Sequence, residues 1–501
     1  MAGKRVLIIG AGLAGLAAGQ YARMNGYEAR IFEHHTKPGG VVTCWKRGEY
    51  FIDGGIHWLM GYKPGSSFHT LYSELGILPE VSCLELTSYG RFVHEESGLS
   101  VEVTSDLDRL EQDLKSISPQ DGRLVEELVS GGRAFARHGS TGMGLELPDE
   151  LKGVVRKIQE FWGLRGVLKY FGGRFGRSAA QYAGEFRDPM LRFVVENLFL
   201  PDVPVWFVCM VLGLLAQRQM GVLAAGSSSL SEALAGRFVG LGGEISYGCL
   251  VEEILVKDDR ALGIRLSDGS VHHGDVVISA ADARSTILGM LKGRYVDRAT
   301  HERLDKWELM RPMVMVNLGV AREFHESPSL LLIRPAHPLM IGHVPANLLT
   351  VRIFNYSGEF APPGKTVVQA ALETDWDWWH SLRDDPPRYR EEKERIAAEV
   401  IKCLERHFPG IDSQVEMTDV ATPYTFWRYT RNDRGAFMGW LPTPKALMTP
   451  IKRTLPGLDG FYMAGQWVTP GGGVPPCLYS GRHAIELICR KHGRPFKPGQ
   501  A

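Results

Sequence analysis

Cysteine is scarce in this 501-residue chain, and what there is stands alone. The seven, Cys44, Cys83, Cys209, Cys249, Cys403, Cys477 and Cys489, are odd in number and include no C-x-x-C pair. That excludes a disulfide framework and a zinc ribbon, and predicts reduced thiols in a cytoplasmic protein. An excess of charge is also missing: 57 basic residues balance 57 acidic ones, leaving no case for a nucleic-acid partner. No apolar run reaches the ~20 residues that span a bilayer. The longest, VPVWFVCMVLGLLA (203–216), stops at Gln217, Arg218 and Gln219. It reads as a buried helix opened by Pro204, as the wall of an apolar channel, or as a membrane-dipping element. There is no H-E-x-x-H, no metal-ligand cluster, no repeat and no low-complexity tract. The start, MAGKRVLIIG, enters a strand within a few residues, so no signal peptide is expected.

What is present begins at Val6. The run Val6-Leu7-Ile8-Ile9 suits a central parallel strand buried on both faces. Gly10, Gly12 and Gly15 follow as G-x-G-x-x-G, and Leu13, Leu16, Ala17, Tyr21 and Met24 then recur at helical spacing. In such a turn the first glycine permits the bend, the second admits a pyrophosphate, and the third lets helix and strand pack. The helix N-terminus supplies free N–H groups and a favourable dipole for the phosphates. A second strand, YEARIFE, ends in Glu33, 18 residues beyond Gly15. A carboxylate there suits an adenosine ribose without a 2′-phosphate. FAD and NAD both fit at this point.

The next residues decide between them. HHTKPGG brings Gly39 and Gly40, and FIDGG brings Asp53 and Gly54. Here the sequence resembles flavoproteins of the phytoene desaturase and carotenoid isomerase type, within the amine-oxidase-like superfamily. The resemblance recurs in the stretch from Gly226 to Asp282, in TPYTFWRYTRNDRGAFMG, and in LPGLDGFYMAGQWVTPGGGVPPCLYSGRHAIELI. It implies FAD wrapped by the Gly39–Gly40 and Asp53–Gly54 segments. It implies adenine against the backbone of Val251, and a close backbone approach at Gly465 with Gln466 beside it. It also implies a helix entered through Gly471, Gly472 and Gly473, whose N-terminus near Val474 faces the flavin. Two positions depart from the desaturase pattern: Val41 where arginine is common, and Gln466 where an acid is common.

The length requires more than one core. The expected fold is α/β: a discontinuous Rossmann-type FAD-binding domain (about 1–75, 220–305 and 440–501) carrying an inserted α+β substrate domain (76–219 and 306–439). With no second dinucleotide fingerprint, the flavin carries the redox step alone. Electrons are then exchanged with oxygen, a quinone or an external reductase, or the net reaction is redox-neutral. The resemblance implies an enzyme acting on carbon–carbon bonds of a long apolar, isoprenoid-like substrate, by isomerisation, saturation or desaturation. Val41 and the isomerase-like segment favour the first two. An amine or amino-acid oxidase is the alternative, and a non-catalytic flavin-binding protein a further one. A bilayer-resident substrate would bring peripheral membrane contact. No catalytic side chain is assigned. His57 is loop-forming or an acid–base; Arg428 and Arg431, among Trp427, Tyr429 and Phe437, serve packing, a polyene channel or FAD; Cys477 is a buried hydrophobe or a covalent flavin anchor.

Overall fold

The computed structural model describes residues 4–78, 80–139 and 145–499. Five parallel strands form the first sheet, in the order Glu244–Ser246, Glu28–Phe32, Arg5–Ile9, Val276–Ser279, Phe461–Met463. They come from the N-terminal, middle and C-terminal parts of the chain, so the nucleotide-binding unit is discontinuous. The all-apolar Val6–Ile9 run follows from burial on both faces. Val6 and Ile8 enter a core with the helices Leu13–Met24, Ser227–Gly240 and Val474–Lys491. Leu7 and Ile9 enter a second core beneath the antiparallel strands Val251–Lys257, Arg260–Leu266 and Val271–His273. The first and last of those helices touch so closely that a Cβ on Gly481 would lie 2.4 Å from the Ala14 carbonyl oxygen. Glycine at that position therefore joins the two ends of the chain.

The inserted region has a sheet and a helical lobe. The sheet runs in the order Val415–Ala421, Met313–Val320, Thr366–Glu373, Leu349–Ile353, Leu330–Arg334, Ser88–His94, Leu99–Thr104. All neighbours are antiparallel except Leu330–Arg334 beside Ser88–His94. Strand alternation sorts its side chains. Val314, Val316, Leu331 and Ile333 pack beneath the helix Pro386–His407, while Met313, Met315, Leu330 and Leu332 face a cavity. In the helical lobe, Gly122–His138 lies against Val205–Ala216. Their contact needs small residues: a Cβ on Gly131 would meet the Cys209 sulfur at 2.4 Å. The apolar run expected to be a buried helix is that second helix. Pro204 is its N-cap, one residue before the first turn. Its Trp206, Phe207 and Met210 line the cavity, so it is both core and channel wall. No helix among the described residues is long and apolar enough to cross a membrane.

The hairpin Cys44–Arg47 and Tyr50–Asp53 ties the two units together. Trp45 donates its indole N–H to Asp419 at 2.9 Å, and the Tyr50 hydroxyl donates to Glu416 at 2.8 Å. The N-terminal segment thus holds the inserted sheet well before residue 75.

Candidate functional site

A cavity of about 1590 Å³ opens between the two units. Drug-sized ligands usually occupy about 300–1,000 Å³, so there is room for a large cofactor and a second molecule. Gly10, Gly12, Glu33, Gly39, Gly40, Gly54, Val251, Gly465, Gln466, Gly472, Gly473 and Val474 all line it. Two expected residues do not. A Cβ on Gly15 would fall 2.0 Å from the Gly10 carbonyl oxygen, so Gly15 serves helix–strand packing. Asp53 is buried and turned away from the cavity. It accepts the Gly55 N–H at 2.9 Å and the Ser227 N–H at 3.1 Å, pinning the D-G-G loop to the N-terminus of the helix Ser227–Gly240.

Gly10 and Gly12 require glycine for different reasons. Gly10 has φ +96°, which a side chain rarely tolerates. Gly12 has φ −69°, open to any residue, and a Cβ there would meet no protein atom within 4 Å. The space it keeps free belongs to the cavity, at the N-terminus of the helix Leu13–Met24. Glu33 is buried beside it, its two carboxylate oxygens accepting the Ala11 N–H at 2.6 Å and the His35 N–H at 2.7 Å. Burial pushes this carboxyl above its usual range, and the two backbone donors oppose that shift. The Glu33 carbonyl accepts the Cys249 N–H at 2.8 Å, which brings Val251 to the same end of the cavity.

At the other end, Gly473 caps the helix Val474–Lys491 and Pro475 sits in its first turn. Residues 471–477 line the cavity, so the positive end of this helix faces it. The Thr469 hydroxyl nearby is buried in the cavity wall without a protein partner. Free N–H groups at the start of the helix Leu13–Met24, the Val474 N–H and helix dipole at the other end, where Pro475 and Pro476 carry no N–H, a buried carboxylate and an unpaired hydroxyl suit an extended dinucleotide carrying a ring that gathers negative charge.

The sequence alone leaves the role of Arg431 open, and the fold places it at the Glu33 end of the cavity. The helix Pro423–Thr430 ends with Arg431 in the left-handed conformation. The guanidinium stacks over Trp427 at 4.4 Å and donates to His34 at 3.3 Å, next to Glu33. Asp282 holds the following turn by accepting the Asp433 N–H at 3.0 Å. Asp282 and His34 were missed; their position at the ends of the strands VVIS and EARIF was the available signal. His57 lines the cavity, but burial and then the Arg352 guanidinium hold its imidazole down at about 3. It is neutral across the physiological range and cannot donate a proton as an imidazolium. Away from the cavity, Glu95, Cys403 and His407 converge, but Arg406 is already paired with the Glu95 carboxylate.

The family model for flavin containing amine oxidoreductase matches residues 13–489. The chain belongs to that family. A phytoene desaturase (neurosporene-forming) of Rhodobacter capsulatus is 27% identical, over 97% of this chain and 94% of its own. A chloroplastic prolycopene isomerase of Arabidopsis thaliana is 24% identical, over 98% of this chain and 84% of its own. Among solved structures, the cyclohexylamine oxidase of Brevibacterium oxydans superposes with a TM-score of 0.61 at 14% identity, covering 98% of this chain and all of that one. The protein is thus a FAD-binding oxidoreductase with a Rossmann-like FAD region and an inserted α+β region, and it acts on a bound organic substrate.

The link to FAD is expected to be non-covalent. Burial pushes the Cys477 thiol up to about 12, so it holds its proton and is no nucleophile near neutrality. Acid precipitation should release all the yellow colour as FAD; a pellet that stays yellow after washing would show a covalent bond.

Proposed function

We propose that this enzyme acts on carbon–carbon bonds of a long apolar, isoprenoid-like substrate, and that it works by isomerisation or saturation. The observation that carries this is the arm of the cavity beyond the flavin end. Its wall includes Trp58, Tyr89, Phe193, Phe199, Phe207 and Leu332. The rings pack against one another, Trp58 on Tyr89 at 5.1 Å and Phe199 on Phe207 at 4.8 Å. Such a wall excludes water, gives an uncharged chain a large contact area, and offers ring faces to any positive charge that develops on a polyene. The Arg311 guanidinium in the same wall is neutralised by Asp202, with N–O distances of 2.8 and 3.0 Å. FAD, once bound in this cavity, would supply two-electron redox chemistry to a molecule held there. The helix N-terminus at Val474 favours the electron-rich form of the ring. The desaturase and isomerase relatives support the carbon–carbon, isoprenoid-like part of this reading, and the single dinucleotide fingerprint leaves oxygen, a quinone or a separate reductase as electron partner.

A second reading is an amine oxidase. The Glu196 carboxylate in the cavity wall is what favours it, since it would attract an ammonium group; Glu373, also in the wall, is already paired with Arg311 at 3.6 Å. The amine oxidoreductase description of the family and the cyclohexylamine oxidase neighbour support it too. One experiment separates the two readings. Oxidised and photoreduced enzyme are mixed anaerobically with long polyenes and with a panel of primary amines, and products are analysed for mass and geometry. Altered geometry at constant mass, or a gain of two hydrogens, is expected from polyenes with the reduced enzyme alone. Loss of two hydrogens with oxidised enzyme alone would make it a desaturase. Bleaching by amines and inertness toward polyenes would establish the second reading.

A further inference from the structure

The helix Val154–Gly163 is amphipathic and faces the wrong way for a core helix. At 100° per residue, Val154, Val155, Ile158, Phe161 and Trp162 fall on one arc of about 120°. None of the helix is buried, and those five side chains are 75, 70, 51, 59 and 61% exposed. They make up five of the fourteen large exposed apolar residues in the described chain. The opposite face is the less exposed one: the side chains of Glu160 and Lys152, paired with each other at 3.2 Å, are 20 and 9% exposed. A soluble helix turns its apolar stripe inward, so this one is built to be covered by something else.

Charge indicates what covers it. Between Lys152 and Arg177 there are seven basic residues and one acid, in a chain whose net charge is zero. Arg174 and Arg177 are paired with Glu127 and Glu185. Lys157, Arg165 and Lys169 are exposed and have no carboxylate partner among the described residues. An apolar arc flanked by unpaired cations matches an anionic bilayer surface, with rings at the acyl boundary and ammonium groups at the headgroups. The segment is also continuous with the cavity: Asp149 before the helix, and Leu164 and Phe171 after it, line the cavity wall. Met448, 64% exposed, adds an apolar side chain to the same lining.

We propose that Val154–Gly163 docks the enzyme on anionic membranes and sets the mouth of the cavity at the lipid surface. That the bilayer then delivers the substrate rests on the function proposed above; the docking itself does not.

The test is flotation of the FAD-loaded, full-length enzyme with phosphatidylcholine vesicles, with and without phosphatidylglycerol. Wild type should float with the anionic vesicles and be released by high salt. Phe161→Ser/Trp162→Ser should partition about tenfold more weakly or worse, with flavin absorbance and unfolding temperature unchanged, because both side chains are exposed. Lys157→Glu/Arg165→Glu should lose the preference for anionic lipid and so tests the idea without touching the apolar arc. Failure of wild type to float with any vesicle would overturn the proposal, as would equal binding to neutral vesicles. A wild-type dimer that the Phe161/Trp162 variant dissociates, with no vesicle binding, would assign the face to a second copy. With a converted substrate in hand, the same variant should lose turnover on vesicle-borne substrate and keep it on detergent-dispersed substrate. That arm fails separately if the substrate class is wrong.

Discussion

Gly12→Val is expected to fold and to purify colourless. The argument rests on what surrounds Gly12. Its backbone sits at φ −69°, ψ 174°, an extended conformation that valine adopts readily. A Cβ there meets no protein atom within 4 Å, so the folded chain without cofactor suffers no clash at that atom and loses only the small N-cap preference for glycine. The only space the new side chain takes is the part of the cavity where the first turn of the helix Leu13–Met24 presents its N–H groups. A pyrophosphate kept off those donors forfeits several charge-assisted hydrogen bonds, each worth about 1.5–3 kcal/mol. FAD content after purification should fall by roughly tenfold or more, since ~1.4 kcal/mol is already a factor of ten. Unfolding of the cofactor-stripped protein should match cofactor-stripped wild type. Flavin retained at the wild-type level would show that the pyrophosphate lies elsewhere. Gly15→Ala makes the contrasting case: its Cβ strikes the Gly10 carbonyl at 2.0 Å, so the loss there should be of fold first and cofactor second.

Glu486→Gln should stabilise the protein at alkaline pH and do little in acid. Glu486 is 5% exposed on the helix Val474–Lys491, and one of its carboxylate oxygens has no partner. Burial pushes its carboxyl up to about 7; Arg482, 3.2 Å away, draws it down, and Glu74 raises it further. In the unfolded chain the group titrates near ~4.3. Between those values the folded state holds the proton and the unfolded state does not, so stability falls as pH rises through this window. A shift of this size corresponds to about 4 kcal/mol at most. Glutamine removes the penalty, and Arg482 keeps Glu74 as a partner at 3.6 Å. Denaturant unfolding at pH 5 and pH 8 should show variant and wild type close together at the lower pH and the variant ahead at the higher. Equal differences at both would place the ionised carboxylate comfortably in the fold and refute the account.

The dinucleotide loop was legible because its signal is local. Strand, glycine turn, helix and terminal acid occupy residues 6–33 without interruption, and each residue type answers to a backbone constraint that neighbours in sequence impose. Four strands of the second sheet carry a comparably local signal, a short apolar run within each of RPMVMVNLGV, LLLIRP, LTVRIFN and TVVQAALET.

Where a side chain points was decided by tertiary structure. Asp53 belongs to a glycine-rich motif beside the cofactor cavity, yet its carboxylate turns to the helix at Ser227, 174 residues further along the chain. Arg431 is brought to His34 from 397 residues away, a juxtaposition no spacing in the sequence encodes. The helix Val154–Gly163 shows the limit most plainly. Its periodicity is in the sequence, because the apolar residues repeat every three or four positions and that repeat fixes a stripe. A period carries no sign. Whether the stripe faces the core or the outside is set by how the rest of the chain packs around it, and here Lys152 and Glu160 lie on the less exposed side and the apolar residues on the exposed one.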